Sequence, residues 1–138
     1  MKAITLWQPW ATLVALGYKE IETRSWPTSY RGPLAIHAAK RVSYHDMFLF
    51  EDLLKGVTLP LGRVVATCEL VDVQRIGYNW SHLSHLEIRL GDFSIGRYAW
   101  ILRNIHPLDP PVTAQGRQGL WDWEEVIMPC ETGNTEGE

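Results

Sequence analysis

Residues 61–73, Leu-Gly-Arg-Val-Val-Ala-Thr-Cys-Glu-Leu-Val-Asp-Val, constrain the fold more than any other segment. The run is dense in β-branched residues, so it predicts a long strand through the middle of a sheet. It also carries a carboxylate. Alternation sets Glu69 on the face of Val65, Thr67, Val71 and Val73, and its other neighbours, Cys68 and Leu70, are apolar too. A carboxylate so placed is expected to be shielded from water and to need a partner or a raised pKa. It either sits in a structural ion pair or faces a cleft.

The remaining elements arrange themselves around that strand. Ile4 to Leu6 reads as an opening strand, and Pro9 at a first helical position introduces a helix carrying Trp10, Leu13, Val14 and Leu16, stopped by Gly17. An extended polar stretch, 18–24, is followed by a turn rich in proline and glycine and by the strand Leu34 to Ala38. Ser43 and Asp46 resemble a capping box for a second helix with Phe48, Leu49 and Leu53, ending near Gly56. Residues 75–92 are polar and read as an insertion or lid, and Tyr98 to Leu102 as another strand. Pro107, Pro110 and Pro111 are expected to break the pattern before a glycine-hinged loop at 115–121. A single β-rich α+β domain over 1–130 is expected, with a frayed tail at 131–138 that contains no apolar residue.

Composition narrows the function classes. A chain of 138 residues can bury one continuous core, and it contains no apolar run long enough to span a bilayer. The opening residues turn polar too early for a signal peptide, and two cysteines, Cys68 and Cys130, make neither a disulfide framework nor a zinc site. A cytoplasmic location is expected. The net charge of −3 lacks the basic excess of proteins that grip long duplexes through phosphates. A small or locally held ligand is favoured. Seven tryptophans supply both core and candidate platforms for a base: Trp7, Trp10 and Trp100 are assigned to the core, and Trp26 is the best stacking candidate.

The residues most able to carry chemistry lie in Gly17-x-Lys19-x-x-Glu22-x-Arg24. Glu22 and Arg24 share a strand face. Lys19 follows a helix-ending glycine, so a turn can bring it beside Glu22, and the set can hold a carboxylate as a base or depress a lysine pKa. A solvated charged strand has the same spacing. His37, mid-strand among apolar neighbours, is either a hydrogen-bonded core residue or a pocket donor. His82 and His85 lack the carboxylate or thiolate that would complete a metal site, so neither metal nor cofactor is expected.

In its order and spacing this signature, preceded by Gln8-Pro9-Trp10 and followed by Arg31-Gly32-Pro33-Leu34-Ala35-Ile36-His37, the strand 62–73 and Tyr98-Ala99-Trp100, resembles the ASCH domain family over roughly residues 1–125. The resemblance implies a PUA-like mixed β-barrel with flanking helices and a cleft lined by the signature. It also implies a link to RNA metabolism. One small bacterial branch hydrolyses N4-acetylcytidine to cytidine and a carboxylate, while other members bind nucleic acid or cleave RNA. Carried over, Lys19 matches the catalytic lysine of that branch and Glu69 its second-strand acid, while Glu22 stands where the branch has a threonine nucleophile. Either Glu22 activates water directly or that mechanism does not transfer. The expected catalytic set is Lys19, Glu22 and Glu69, with Gln8, Arg24, Trp26 and His37 contacting a nucleoside. The rival reading is an RNA-binding module in which Arg24, Lys40 and Arg41 hold phosphates, and a third is a ribonuclease.

Overall fold

The structure is a computed structural model that describes residues 1–81 and 83–124. The expected tail at 131–138, the domain boundary at 130, and His82 and Cys130 lie outside the described residues. Six strands of the described residues form one barrel-like sheet: β1 (Lys2–Gln8), β2 (Ile21–Arg24), β3 (Gly32–Val42), β4 (Arg63–Arg75), β5 (Tyr98–Thr113) and β6 (Trp121–Asp122), in the order β2-β5-β4-β3-β1-β6. Among the described residues, four short helices flank it: α1 (Trp10–Ala15), α2 (Tyr44–Leu49), α3 (Glu51–Leu54) and α4 (His85–Arg89). No helix among the described residues is long and apolar enough to cross a membrane. β1 and β3 run parallel, which demands a crossover, and α1 and β2 supply it.

The strand anticipated at 61–73 is β4, an interior strand paired with β3 and β5. Its faces are the reverse of those expected. Val64, Ala66, Cys68 and Leu70 point into the core, together with Val65, whereas Glu69 and Val71 are exposed. Both faces carry apolar residues, so alternation does not choose between them. Burying an unpaired carboxylate is the more costly option, so the face bearing Glu69 goes to water. Irregularities in the β4–β5 register at Val64/Ala66, Thr67/Glu69 and Leu70/Asp72 further interrupt strict alternation. The Cys68 thiol packs among the core aliphatics, and burial pushes its pKa up to about 12.

Two further expectations are corrected. The prolines after Tyr98 do not end the strand, for β5 continues to Thr113. β2 pairs with β5 only over Tyr98 to Ile101, so beyond that point β5 has a ladder on one side and a residue lacking an N–H is tolerated on the other. The helix beginning at Ser43, whose side chain accepts from the Asp46 N–H at 3.4 Å, breaks at Phe50 into α2 and α3. The break turns Phe50 and Leu54 onto Leu13 and Leu90 and leaves Phe48 and Leu49 outside. Trp100 is fully buried in the central core as expected, with Trp10 packed against that core, but Trp7 is half exposed.

The barrel-like sheet closes by a side chain rather than a ladder. β6 covers β1 only at Lys2 and Ala3, so the carbonyl of Thr5 is left over. Arg24, at the end of β2 on the opposite end of the sheet, donates Nη2–H to that carbonyl at 2.8 Å. The cleft described below opens at this seam.

Candidate active site

Gly17 positions the lysine. With φ of +85° it ends α1 in the left-handed region, and the N–H groups of Tyr18 and Lys19 both return to the Leu13 carbonyl at 3.1 Å. The chain turns back under the helix and Lys19 points inward, 1 % exposed. Its ammonium donates to the carbonyls of Ile21 (2.6 Å) and Leu90 (2.7 Å), lies 3.6 Å from Glu22 Oε1 and sits 5.8 Å from the centre of the Trp10 ring. Two of its three hydrogens are thus committed to backbone, and the third is left for Glu22 and the cleft. Burial lowers the Lys19 pKa, opposed by the charges of Glu22 and Glu87. Glu22 is held from the other side, its Oε2 3.0 Å from Arg24 Nε.

Above this pair opens a cleft of about 820 Å³. Trp7, Trp10, Trp26 and Phe50 give it aromatic walls, with Leu49 at one side. Trp26 rests edge-on against Trp100, centroids 4.9 Å apart, and Trp10 against Phe50 at 5.3 Å, so two of the walls are braced by the core. Asp46, Arg89, Asp92 and Arg97 add charge. Arg89 is committed to Asp52 by two bonds of 3.0 and 3.1 Å, and Arg97 donates to the Thr23 carbonyl at 3.1 Å. The result is an apolar slot with a polar floor, the usual form of a small-ligand site.

The structure brings together Lys19, Glu22, Arg24 and Trp26, and it separates the other expected residues from them. Glu69 is exposed and accepts a hydrogen bond from Asn104 Nδ2 at 2.9 Å, so it does not converge with Lys19 as expected. Gln8 is wholly buried and fully engaged. Its Nε2 donates to Thr12 Oγ1 (2.7 Å) and the Pro60 carbonyl (2.8 Å), and its Oε1 accepts from the Thr12 N–H (3.0 Å), which caps the start of α1 rather than lining the cleft. His37 is buried beside a second cavity, with Nδ1 3.2 Å from Thr5 Oγ1 and Nε2 2.7 Å from the Ala114 carbonyl. Burial lowers its pKa.

A residue not anticipated from the sequence completes the surroundings of Lys19. Glu87, on α4, is buried, accepts the Glu20 N–H at 2.5 Å through Oε1 and has no hydrogen-bond partner on Oε2 among the described residues. Burial raises its pKa, and its charge supports the ammonium of Lys19. The polar stretch 75–92 is therefore no simple surface insertion: it delivers the Leu90 carbonyl to the lysine and the Glu87 carboxylate to the Glu20 N–H beside it. A sequence signal existed in Ser84-x-x-Glu87, since Ser84 Oγ caps the Glu87 N–H at 3.1 Å, but that spacing announces a helix start and says nothing of burial.

The fold, a barrel-like sheet with short flanking helices, is of the PUA-like α+β class. The ASCH domain family matches residues 4–112, and the chain belongs to it. The crystal structure of ASCH from Zymomonas mobilis superposes with a TM-score of 0.55 at 21% identity, covering 91% of this chain and 87% of that one. Two single-substitution variants of the Zymomonas protein match with TM-scores of 0.54 and 0.53, each at 20% identity and over 91% of this chain, covering 90% and 88% of theirs. At such identities the likeness is one of fold. No curated protein matches the sequence.

Proposed function

We propose that the cleft is the active site of a cofactor-independent amidohydrolase acting on N4-acylated cytidine nucleosides. The observation that carries the reading is the Lys19–Glu22 pair, 3.6 Å apart on the floor of an aromatic slot. A cytosine ring suits walls of Trp10 and Trp26, because a base presents a π-face whatever its exocyclic substituents. The choice of an acylated cytidine rests on the resemblance of the signature to the N4-acetylcytidine branch.

The chemistry follows from the groups present. Glu22 accepts a proton from water, and the hydroxide adds to the acyl carbon. The developing oxyanion is stabilised by the Lys19 ammonium, whose position is already fixed by Ile21 and Leu90. The C–N bond then breaks as Glu22 returns its proton to the exocyclic nitrogen, releasing cytidine and the carboxylic acid. No threonine nucleophile and no contribution from Glu69 are required. Arg24 acts as a positioning residue for Glu22, and Glu87 as one for Lys19. The rival RNA-binding reading needs its three cations along one groove, but Lys40 lines the second cavity, whereas Arg24 lines the cleft and Arg41 lies 5.3 Å from the Trp7 ring at the cleft wall. Incubation of the protein with N4-acetylcytidine, followed by ultraviolet spectroscopy and chromatography, tests the proposal. Release of cytidine is expected, and none from the folded protein overturns it.

A further inference from the structure

A second cavity, of about 620 Å³, lies on the other side of Thr5 from the Lys19 cleft and takes no part in the chemistry above. Thr5 borders both. Its carbonyl holds Arg24 on the cleft side, whereas its hydroxyl lies 3.2 Å from His37 Nδ1, accepts from Trp121 Nε1 at 3.1 Å and donates to the Arg117 carbonyl at 3.4 Å. The cavity is framed by β3 and the glycine-hinged loop that follows β5.

Its lining has a definite character. Lys40 and Arg117 supply cationic side chains, and Thr113, Gln115 and Gln118 supply neutral hydrogen-bonding groups. No described lining residue is acidic, although the chain carries 16 acidic residues against 13 Lys and Arg and the neighbouring cleft contains three of those acids. The loop is also seated rather than loose. A Cβ at Gly116 would lie 2.6 Å from His37 Cε1 and 3.0 Å from Thr5 Oγ1, so only glycine lets the backbone come this close, and His37 Nε2 meets the Ala114 carbonyl. His37 and Thr5 thus anchor the loop, and Lys40 and Arg117 remain outside any ion pair among the described residues.

We propose that this cavity is a second binding site, for a phosphate group, held by Lys40 and Arg117 with the polar side chains of the 113–118 loop. Charge-assisted hydrogen bonds from a guanidinium and an ammonium suit a phosphate, and the amide and hydroxyl groups can serve its remaining oxygens. The phosphate belongs either to a nucleotide or to the backbone of an RNA strand. The inference is independent of the amide chemistry assigned to Lys19.

Titration of the full chain with inorganic phosphate, against sodium chloride of matched ionic strength, is the test. Backbone amide resonances of residues 113–118 report the cavity, and those of Lys19 and Glu22 report the cleft. Saturable shifts confined to the loop are expected, weakened about tenfold or more in Lys40→Ala/Arg117→Ala and unchanged in Lys19→Met. Competition then separates the sources: displacement by cytidine monophosphate points to a nucleotide, and displacement only by a short oligocytidylate points to RNA. Shifts that chloride reproduces, or that survive the double substitution in a folded protein, overturn the site. Because no acylated nucleoside is present, failure here leaves the hydrolase reading untouched, and failure of turnover leaves this one untouched.

Discussion

Lys19 Nζ stands 3.6 Å from Glu22 Oε1 while giving its two shortest hydrogen bonds to the backbone carbonyls of Ile21 and Leu90. The lysine is therefore oriented by groups that do not change charge, and Glu22 is left as its only carboxylate within 4 Å among the described residues. Burial penalises the ammonium, and Glu22 and Glu87 together oppose that penalty. Removing Glu22 takes away the largest of the charges that raise the Lys19 pKa.

Replacing Lys19 with methionine keeps most of the length of the unbranched side chain and removes the charge. Turnover of N4-acetylcytidine is expected to fall about 100-fold or more, the scale of a lost oxyanion contact. Steady-state kinetics on the purified variant, with circular dichroism to verify folding, checks it. Wild-type turnover in Lys19→Met would remove the lysine from the chemistry.

The Lys19 pKa also predicts a pH dependence of stability. Its folded value is lowered from 10.5, so between the folded pKa and 10.5 the unfolded chain binds more protons than the native one. Stability then rises with pH across that window, as the cost of the buried charge present at lower pH is relieved. Urea unfolding of wild type and Lys19→Met at a series of alkaline pH values should show this rise in the wild type alone.

Glu87→Gln tests the support from α4. The amide oxygen can still accept from the Glu20 N–H, but the charge that raises the Lys19 pKa is gone. The alkaline limb of the pH–rate profile, set by loss of the ammonium, should move to lower pH, with a smaller loss of turnover near neutrality. An alkaline limb that stays in place would make Glu87 a purely structural acceptor.

The strands were legible where one chemical pattern dominates. β1, β3 and β4 follow from runs of branched and aliphatic residues, and α1 from Pro9 and Gly17. The Lys19–Glu22–Arg24 constellation was legible because a helix-ending glycine announces a turn. Other features depend on distant partners. Which face of β4 turns inward is settled by β3 and β5, and Gln8 is claimed by Thr12 and by Pro60, 52 residues away. Glu87 reaches Glu20 across 67 residues, a relation that no local spacing encodes. β5 runs through its prolines only because β2 stops short.

Gln8→Ala is expected to cost stability rather than affinity. The truncation leaves the buried Thr12 N–H and Thr12 hydroxyl and the half-buried Pro60 carbonyl without their partner, worth about 2–4 kcal/mol. Urea midpoints should fall accordingly. KM for N4-acetylcytidine, measured where the variant is folded, should stay near wild type, and a large rise in KM without destabilisation would return Gln8 to the substrate site.

Glu69 gives the sharpest contrast between family resemblance and geometry. By resemblance it is the second-strand acid, and Glu69→Ala should then cripple turnover as severely as the loss of Lys19. In the structure its carboxylate is exposed on the outer face of β4 and bonds Asn104, a residue of β5 with a left-handed φ of +54°. An exposed hydrogen bond of this kind is worth about 0.5 kcal/mol at most, so both stability and turnover should remain within about twofold of wild type. The measurement needs Glu69→Ala and Lys19→Met assayed side by side under the same conditions. Parallel collapse of the two would mean that Glu69 reaches the cleft during catalysis, whereas loss in Lys19→Met alone leaves Glu22 as the carboxylate that moves the proton.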